Sequence, residues 1–395
     1  MVGTAVRQTL FIEPLDVLFL RGNKLFGDPG SYGESLVPPW PSVAAGAIRS
    51  ALLVHKGVDL QAFANGSVHD PELGSPQQPG PFRVIQFRLA RRFADGRVEA
   101  LYAPPADLVI RRKADGVWEC VRMRPQALPS GISSSAATPL HAVLPERDRT
   151  KPEGGYWLTH ESWSAYVRGG EIELNDNMLA KTCDLWTLDP RVGVGLDPAK
   201  RSAAEGKLFT VQAVAMRKGY HDRARDYDVG FLADVQGATV PDGLMLRFGG
   251  DGRAARATLV SSTPTESDLA EQIVQARRCR LILTSPGIFT SGWLPTGATT
   301  NGAGDIRFDL HGVRGRLVCA AVPRAEVVSG WDLAKREPKP AQRVAPTGSV
   351  YWLDDIEATA EALRELLVRG LWTDPPEDAG RRAEGFNRFT WGVWP

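Results

Sequence analysis

The chain has 395 residues, more than one hydrophobic core usually serves, so two domains are expected. With 43% hydrophobic and 24% charged residues it reads as an ordinary globular protein. Its 47 basic and 46 acidic residues leave a net charge of +1, which excludes a bulk polycation and confines any nucleic-acid site to local clusters.

Residues 8–20 read as a first strand, with Pro14 marking an edge or bulge. Glu13, Pro14 and Asp16 interrupt its apolar run, which rules out a signal-peptide core, and no stretch approaches a membrane span. A cytoplasmic protein with no membrane partner is expected. The loop Arg21, Gly22, Asn23, Lys24 follows at once. A helix then opens at Pro41, with Ser42 as its expected cap and Ala44, Ile48, Ala51 and Leu52 on one apolar face; Gly57 ends it. Residues 65–81, rich in Pro, Gly and Ser, read as a surface loop.

Two hairpins come next. Residues 82–92 and 97–102 flank Asp95-Gly96, and residues 107–113 and 117–122 flank Asp115-Gly116, the strongest short hairpin signal. Residues 125–155 carry no periodicity and read as an insertion that orders on a partner. A short helix near 159–168 closes this half.

The stretch 191–217 is the centre of the chain. Val192 and Val194 alternate with glycines, and Leu208, Val211, Ala213 and Ala215 form a second strand. Between them Asp197-Pro198 breaks the chain, Lys200, Arg201 and Lys207 decorate a loop, and Gly206 closes it. Residues 229–235 and 243–248 read as strands, followed by the turn Gly249, Gly250, Asp251, Gly252, Arg253 and a strand to 261. A helix over 267–278 carries Leu269, Ile273 and Ala276 on one face. Strands at 280–284 and 314–328 precede a helix over 355–369, with Ile356, Ala360, Leu363 and Leu367 at helical spacing and Gly370 after it. The tail 386–394 is an aromatic strand. Strand–helix–strand–strand–helix–strand order met twice predicts an α+β protein of two ferredoxin-like modules, 1–190 and 191–395.

Catalytic and metal motifs do not assemble. Cys120, Cys183, Cys279 and Cys319 form no Cys-x-x-Cys pair, so neither a zinc site nor a disulfide framework is expected. The six histidines are scattered; His221-Asp222 sits in a charged linker with Arg223, Arg225 and Asp226 and reads as a loop. In Gly249-Gly250-Asp251 the second carboxylate of a two-metal turn is replaced by Gly252, so a phosphate-facing glycine turn with Arg253 is the better reading. Asp354, Asp355 and Glu357 read as helix-start residues that offset the dipole. Gly193-x-Gly195 meets Pro198 where a dinucleotide fingerprint needs its third glycine, and no phosphate-binding loop of the ATPase type occurs. No cofactor, metal or catalytic residue is expected.

RNA binding is the reading on which separate signals converge. Arg21, Asn23 and Lys24 follow the first strand; Ser42 and Arg49 lie on the first helix; Lys200, Arg201 and Lys207 occupy the central loop. Gly249, Gly250 and Arg253 form the glycine turn, and Arg381, Arg382, Phe386 and Arg388 surround Gly385. Each alone is an ordinary surface charge; together they follow strands or sit in glycine turns, where a single strand finds phosphate partners. Tyr32, Trp40, Phe386 and Trp391 are candidates to stack bases, with the core an equal prospect for Trp40 and Trp391. Trp293, Trp331, Trp352 and Trp372 lie in apolar contexts, which suit a core or a subunit interface.

The order Arg191, apolar residues with glycine, Asp197, a basic linker, Ala203, Glu205-Gly206, Leu208-Phe209 is similar to a signature of the repeat-associated RNA-binding (RAMP) superfamily of CRISPR effector subunits. Residues 15–24, the run from Pro39 to Arg49, the glycine turn to Arg253, Ser329-Gly330-Trp331-Asp332-Leu333 and Gly348-Ser349-Val350-Tyr351-Trp352 narrow it. Together they resemble the family of the third subunit of the type III-B (Cmr) complex. The resemblance implies an open RNA-recognition-like sheet in each half and a non-catalytic role. That role is to anchor the 5′ handle of the crRNA beside the large polymerase/cyclase-like Cmr subunit and the backbone Cmr RAMP subunit, in antiviral defence. The rival is a RAMP endoribonuclease that processes precursor crRNA, which needs a His, Tyr or Lys placed to activate a ribose hydroxyl. A third reading, a scaffold without RNA contact, expects no salt-dependent RNA binding.

Overall fold

The computed structural model describes the chain except residues 1–6, 23–31, 34, 114–115, 146–153, 173, 176, 198, 223–224, 262–267 and 302–304. Asn23 and Lys24 lie outside the described residues, as do the side chains of Tyr32 and His221. The architecture is mixed and strand-rich, an α+β fold. Two compact units are each assembled from three stretches: Met1–Ala100, Cys183–Thr263 and Val327–Ala341 in the first, Leu101–Thr182, Pro264–Glu326 and Gln342–Pro395 in the second. Neither unit is therefore a single run on one side of residue 190.

In the first unit the strands Leu244–Arg247, Ala254–Val260, Arg7–Pro14, Arg225–Gln236, Arg83–Phe93 and Val98–Leu101 lie in that order in one sheet. The Arg7–Pro14 strand is antiparallel to both neighbours. Leu10, Phe11 and Ile12 are all fully buried, so the strand is covered on both faces. The expected Asp95-Gly96 turn is present, with Gly96 at φ +84 and its N–H donated to the Phe93 carbonyl at 2.9 Å. Helix Pro41–His55 packs on this sheet with Ala44, Ala45, Ile48 and Leu52 buried. Ser42 is not its cap. Pro41 takes the first helical position, where its missing N–H costs nothing, Trp40 stands at the cap, and no side chain caps the end. Tyr220–Asp222 pairs with Arg225–Gln236, so the His221-Asp222 stretch is a strand and not a loop.

In the second unit the order is Ala298–Thr300, Ile306–Leu310, Val313–Ala321, Val350–Glu357, Cys279–Leu283 and Phe389–Gly392. Helices Ala270–Ala276 and Ala360–Arg369 bury Ile273, Leu363 and Leu366 against Leu281, Phe308, Leu353 and Trp391. The second helix starts later than its periodicity suggests. Val350–Glu357 continues as strand through Asp354 and Asp355, and Thr359 caps the helix by accepting from the Ala362 N–H at 3.1 Å. Asp354 and Asp355 therefore offset no helix dipole; they lie near Arg316 at 3.9 and 3.8 Å. At the start of the 125–155 insertion, Arg124–Gln126 pairs with His141–Val143.

Candidate nucleic-acid interface

A small apolar cluster in the first unit brings two distant stretches together. Phe19, Val211 and Ala213 are buried, with Val17 and Phe209 packed against them. The long hairpin Trp186–Asp197 with Ser202–Met216 supplies Phe209, Val211 and Ala213. Leu18 pairs with its second strand on the other edge, exchanging two 2.8 Å bonds with Val214, and Tyr32–Gly33 adds a parallel pairing to Thr210 and Val211. Ser35 extends this edge, its hydroxyl donating to the Gln212 carbonyl at 2.7 Å. Leu18, Tyr32–Gly33 and Ser35 are thus laid along the hairpin.

The glycine turn closes on the same place. The Gly250 N–H donates to the Phe19 carbonyl at 2.8 Å. Gly249 has φ +79, and a Cβ there would stand 2.8 Å from the Phe19 oxygen, so this approach needs glycine on two counts. The Arg253 guanidinium sits 4.9 Å above the Phe19 ring and donates to Asp16 Oδ2 at 2.8 Å. The Val17 backbone N–H holds the Asp16 carboxyl below its usual range, with Arg253 and Arg191 adding to it. Arg21 Nη2 lies 3.8 Å from Asp251 Oδ1. Arg21 and Arg253, 232 positions apart, therefore both lie at the glycine turn.

The central basic loop is tighter than its sequence suggests. Asp197 and Ser202 already pair, so Ser202–Met216 is strand from its first residue and Lys207 is a strand residue. Asp197 makes the turn: its side chain accepts from the Ala199 N–H at 2.9 Å and its carbonyl from the Arg201 N–H at 2.8 Å. Lys200, Arg201 and Lys207 are exposed. Gly193 and Gly195 gain a physical reason here. A Cβ on them would meet Phe209 Cζ at 2.4 Å and Lys207 Cβ at 2.9 Å, so the glycines leave room for these side chains across the first strand. From the Arg191–Val211 pair to the tip is six residues, roughly 20 Å of ribbon. Val192, Val194, Leu196 and Leu208 are exposed along it.

The remaining expected residues do not join this cluster. Arg49 holds its guanidinium 5.7 Å above the Phe82 ring, and Ser42 lies in the first helical turn. Arg381 is buried and donates to Glu384 and Gln342 at 3.0 and 2.9 Å. Arg388 is buried and ties its guanidinium to the Leu367 and Val368 carbonyls at the end of helix Ala360–Arg369. Phe386 is fully buried, and the Trp391 indole donates to the Leu363 carbonyl at 3.1 Å. These four serve the core of the second unit, and only half-buried Arg382 of that group reaches solvent. The unforeseen participants are Phe19 and Asp16; an aromatic residue just before Arg21-Gly22 was the available signal.

Exposed Arg21 and half-buried Arg253 at a glycine turn, with a basic ribbon tip, are the chemistry of phosphate contact. Among the described residues no group of His, Cys, Asp and Glu is placed to hold a metal ion, and no helix is long and apolar enough to cross a membrane. The family model of the CRISPR-associated protein (Cas_Cmr3) matches residues 10–394. The chain belongs to the Cas_Cmr3 family. A chain of the type III-B Cmr-beta structure bound to cognate target RNA is similar to this Cas_Cmr3 protein at 14% identity and TM-score 0.48, covering 97% of this chain and 96% of that one. A second, with cognate target RNA and AMPPnP in state 1, has 13% identity and TM-score 0.47 over 97% and 96%. Among curated proteins none matches.

Proposed function

We propose that this chain is a non-catalytic RNA-binding subunit of a type III-B CRISPR (Cmr) effector complex in the cytoplasm. It holds the 5′ handle of the crRNA and contacts the large polymerase-like subunit and a backbone RAMP subunit. The reading includes a ferredoxin-like origin for the two main sheets. Family membership over residues 10–394 supplies the class. One observation carries the RNA contact: the Arg21 loop and the Arg253 turn meet on Phe19 at the base of the hairpin that bears Lys200, Arg201 and Lys207. Arg21 and half-buried Arg253 have carboxylate neighbours that are themselves exposed, and such solvent-facing pairs are weak and exchange readily for phosphate.

The test is binding of handle-containing RNA by the assembled complex across a salt series. Changing Lys200, Arg201 and Lys207 to Ala should lower the slope of log affinity against log salt by about 0.7 for each lost contact. An unchanged slope moves the ribbon tip off the RNA path. Metal-independent cutting of repeat RNA at one position would replace this reading by the precursor-processing endoribonuclease.

A further inference from the structure

The segment from Ser329 to Ala341 contains no buried residue. It is nonetheless ordered as a small hairpin, Trp331 opposite Pro338 and Asp332 opposite Glu337. Asp332 makes the turn, its carboxylate accepting from the Ala334 and Lys335 N–H groups at 3.0 and 3.1 Å. The Lys339 N–H donates to the Gly330 carbonyl at 2.9 Å, and Ser329 Oγ to the Lys339 carbonyl at 2.8 Å. A two-stranded hairpin that buries nothing is marginal on its own. Yet this one places its largest apolar groups outward, Trp331 at 56% exposure and Leu333 at 71%. By contrast Trp352 and Trp372 are core residues.

We infer that this hairpin is a docking anchor for another protein, with Trp331 and Leu333 entering an apolar socket whose rim carries carboxylates. The charge pattern points to that rim. Asp332 is engaged by turn amides and Glu337 lies 3.8 Å from Lys335, while the exposed tip carries Arg336 in a left-handed conformation at φ +57. Tryptophan and arginine are the residues that dominate protein interfaces, and truncating a central anchor is felt most. Leucine beside the indole favours protein over RNA, because an aliphatic side chain offers no stacking face for a base.

The inference rests on the proposed membership of a multi-subunit complex. Its test uses the full chain co-expressed with the subunits of its own effector complex and guide RNA, carrying a photo-crosslinking phenylalanine analogue at position 331. The expected result is a crosslink to a protein subunit near Asp or Glu residues. Trp331→Ala and Leu333→Asp should each weaken incorporation of that subunit about thirtyfold, with Trp331→Phe retaining most of it. The salt slope of RNA binding should stay unchanged, as should the melting temperature of the free chain. A crosslink to RNA, no crosslink, or unimpaired incorporation of both variants in a complex that still assembles overturns the inference alone. A wild-type chain that enters no assembly overturns the functional reading and this inference with it.

Discussion

Arg280 and Asp107 face each other at 3.1 Å with both side chains fully buried. Each is saturated by further partners in the second unit. Tyr166 donates its hydroxyl to Asp107 at 2.6 Å, and Arg280 donates to the Tyr166 and Val393 carbonyls at 2.7 and 2.9 Å. The guanidinium also lies 4.3 Å from the Tyr166 ring, whose phenol burial holds well above its usual pKa. One charge pair thus ties strand Cys279–Leu283, helix His160–Val167 and the chain's last residues together.

Such a pair is costly to break and cheap to replace. Asp107→Ala leaves a buried guanidinium without its counter-charge and should lower stability by about 3–5 kcal/mol. The double change Asp107→Leu with Arg280→Met should lose much less. Urea midpoints of the three proteins check this; equal losses would mean that packing and not charge sets the cost.

The glycine turn allows a paired comparison. Gly249→Ala must hold alanine at φ +79 and drive its Cβ to 2.8 Å from the Phe19 carbonyl, whereas Gly252→Ala meets only φ +64 with open space around it. Gly252→Ala should cost about 1 kcal/mol and leave RNA binding intact. Gly249→Ala should cost more and weaken binding, because it pushes Arg253 off Phe19. Thermal melts and RNA titrations read both; indistinguishable variants would remove the turn from the site.

What the sequence displays depends on how local the cause is. Asp95-Gly96 and the Ile356–Leu367 periodicity act within a few residues, so a hairpin and a helix were both expected, the latter with its start misplaced because Val350–Glu357 keeps strand pairing through two aspartates. The convergence of Arg21 and Arg253 depends on the Gly250 N–H reaching the Phe19 carbonyl, and no local pattern encodes a partner so far along the chain. Arg381 and Arg388 misled for the same reason. An arginine beside glycine looks exposed until the helix end and the glutamate it binds are in place. The interleaving of the two units leaves no compositional mark at the crossings.

Acid should loosen the first unit through Asp70. Burial raises its carboxyl pKa, but the Leu73 and Glu72 N–H groups and Lys56 outweigh burial and leave it below 3.8. Lys56 Nζ lies 3.0 Å from it. The unfolded chain therefore binds the proton more readily, so this stabilisation is present above about pH 4 and is lost as pH falls through the folded value. Asp70→Asn should flatten the decline of the urea midpoint with acid below that pH. A decline as steep in the variant as in the wild type would assign acid sensitivity to other carboxylates.

Asp251 offers the sharpest probe of the proposed interface, because its removal should improve function. It stands at φ +54, 3.8 Å from Arg21, and both side chains are about half exposed. Asparagine tolerates the left-handed conformation, so Asp251→Asn removes the charge while keeping the turn. If Arg21 meets a phosphate, the carboxylate competes with that phosphate, and its loss should tighten handle RNA binding by about two- to fivefold at low salt. The gain should shrink as salt rises, since screening already weakens an exposed pair. The same change combined with Arg21→Ala should give no such gain, because the competitor then has nothing to release. Titrations of the four proteins in the assembled complex at two salt concentrations decide it. A gain that survives Arg21→Ala would mean that Asp251 acts on the general field of the surface, and Arg21 would leave the RNA site.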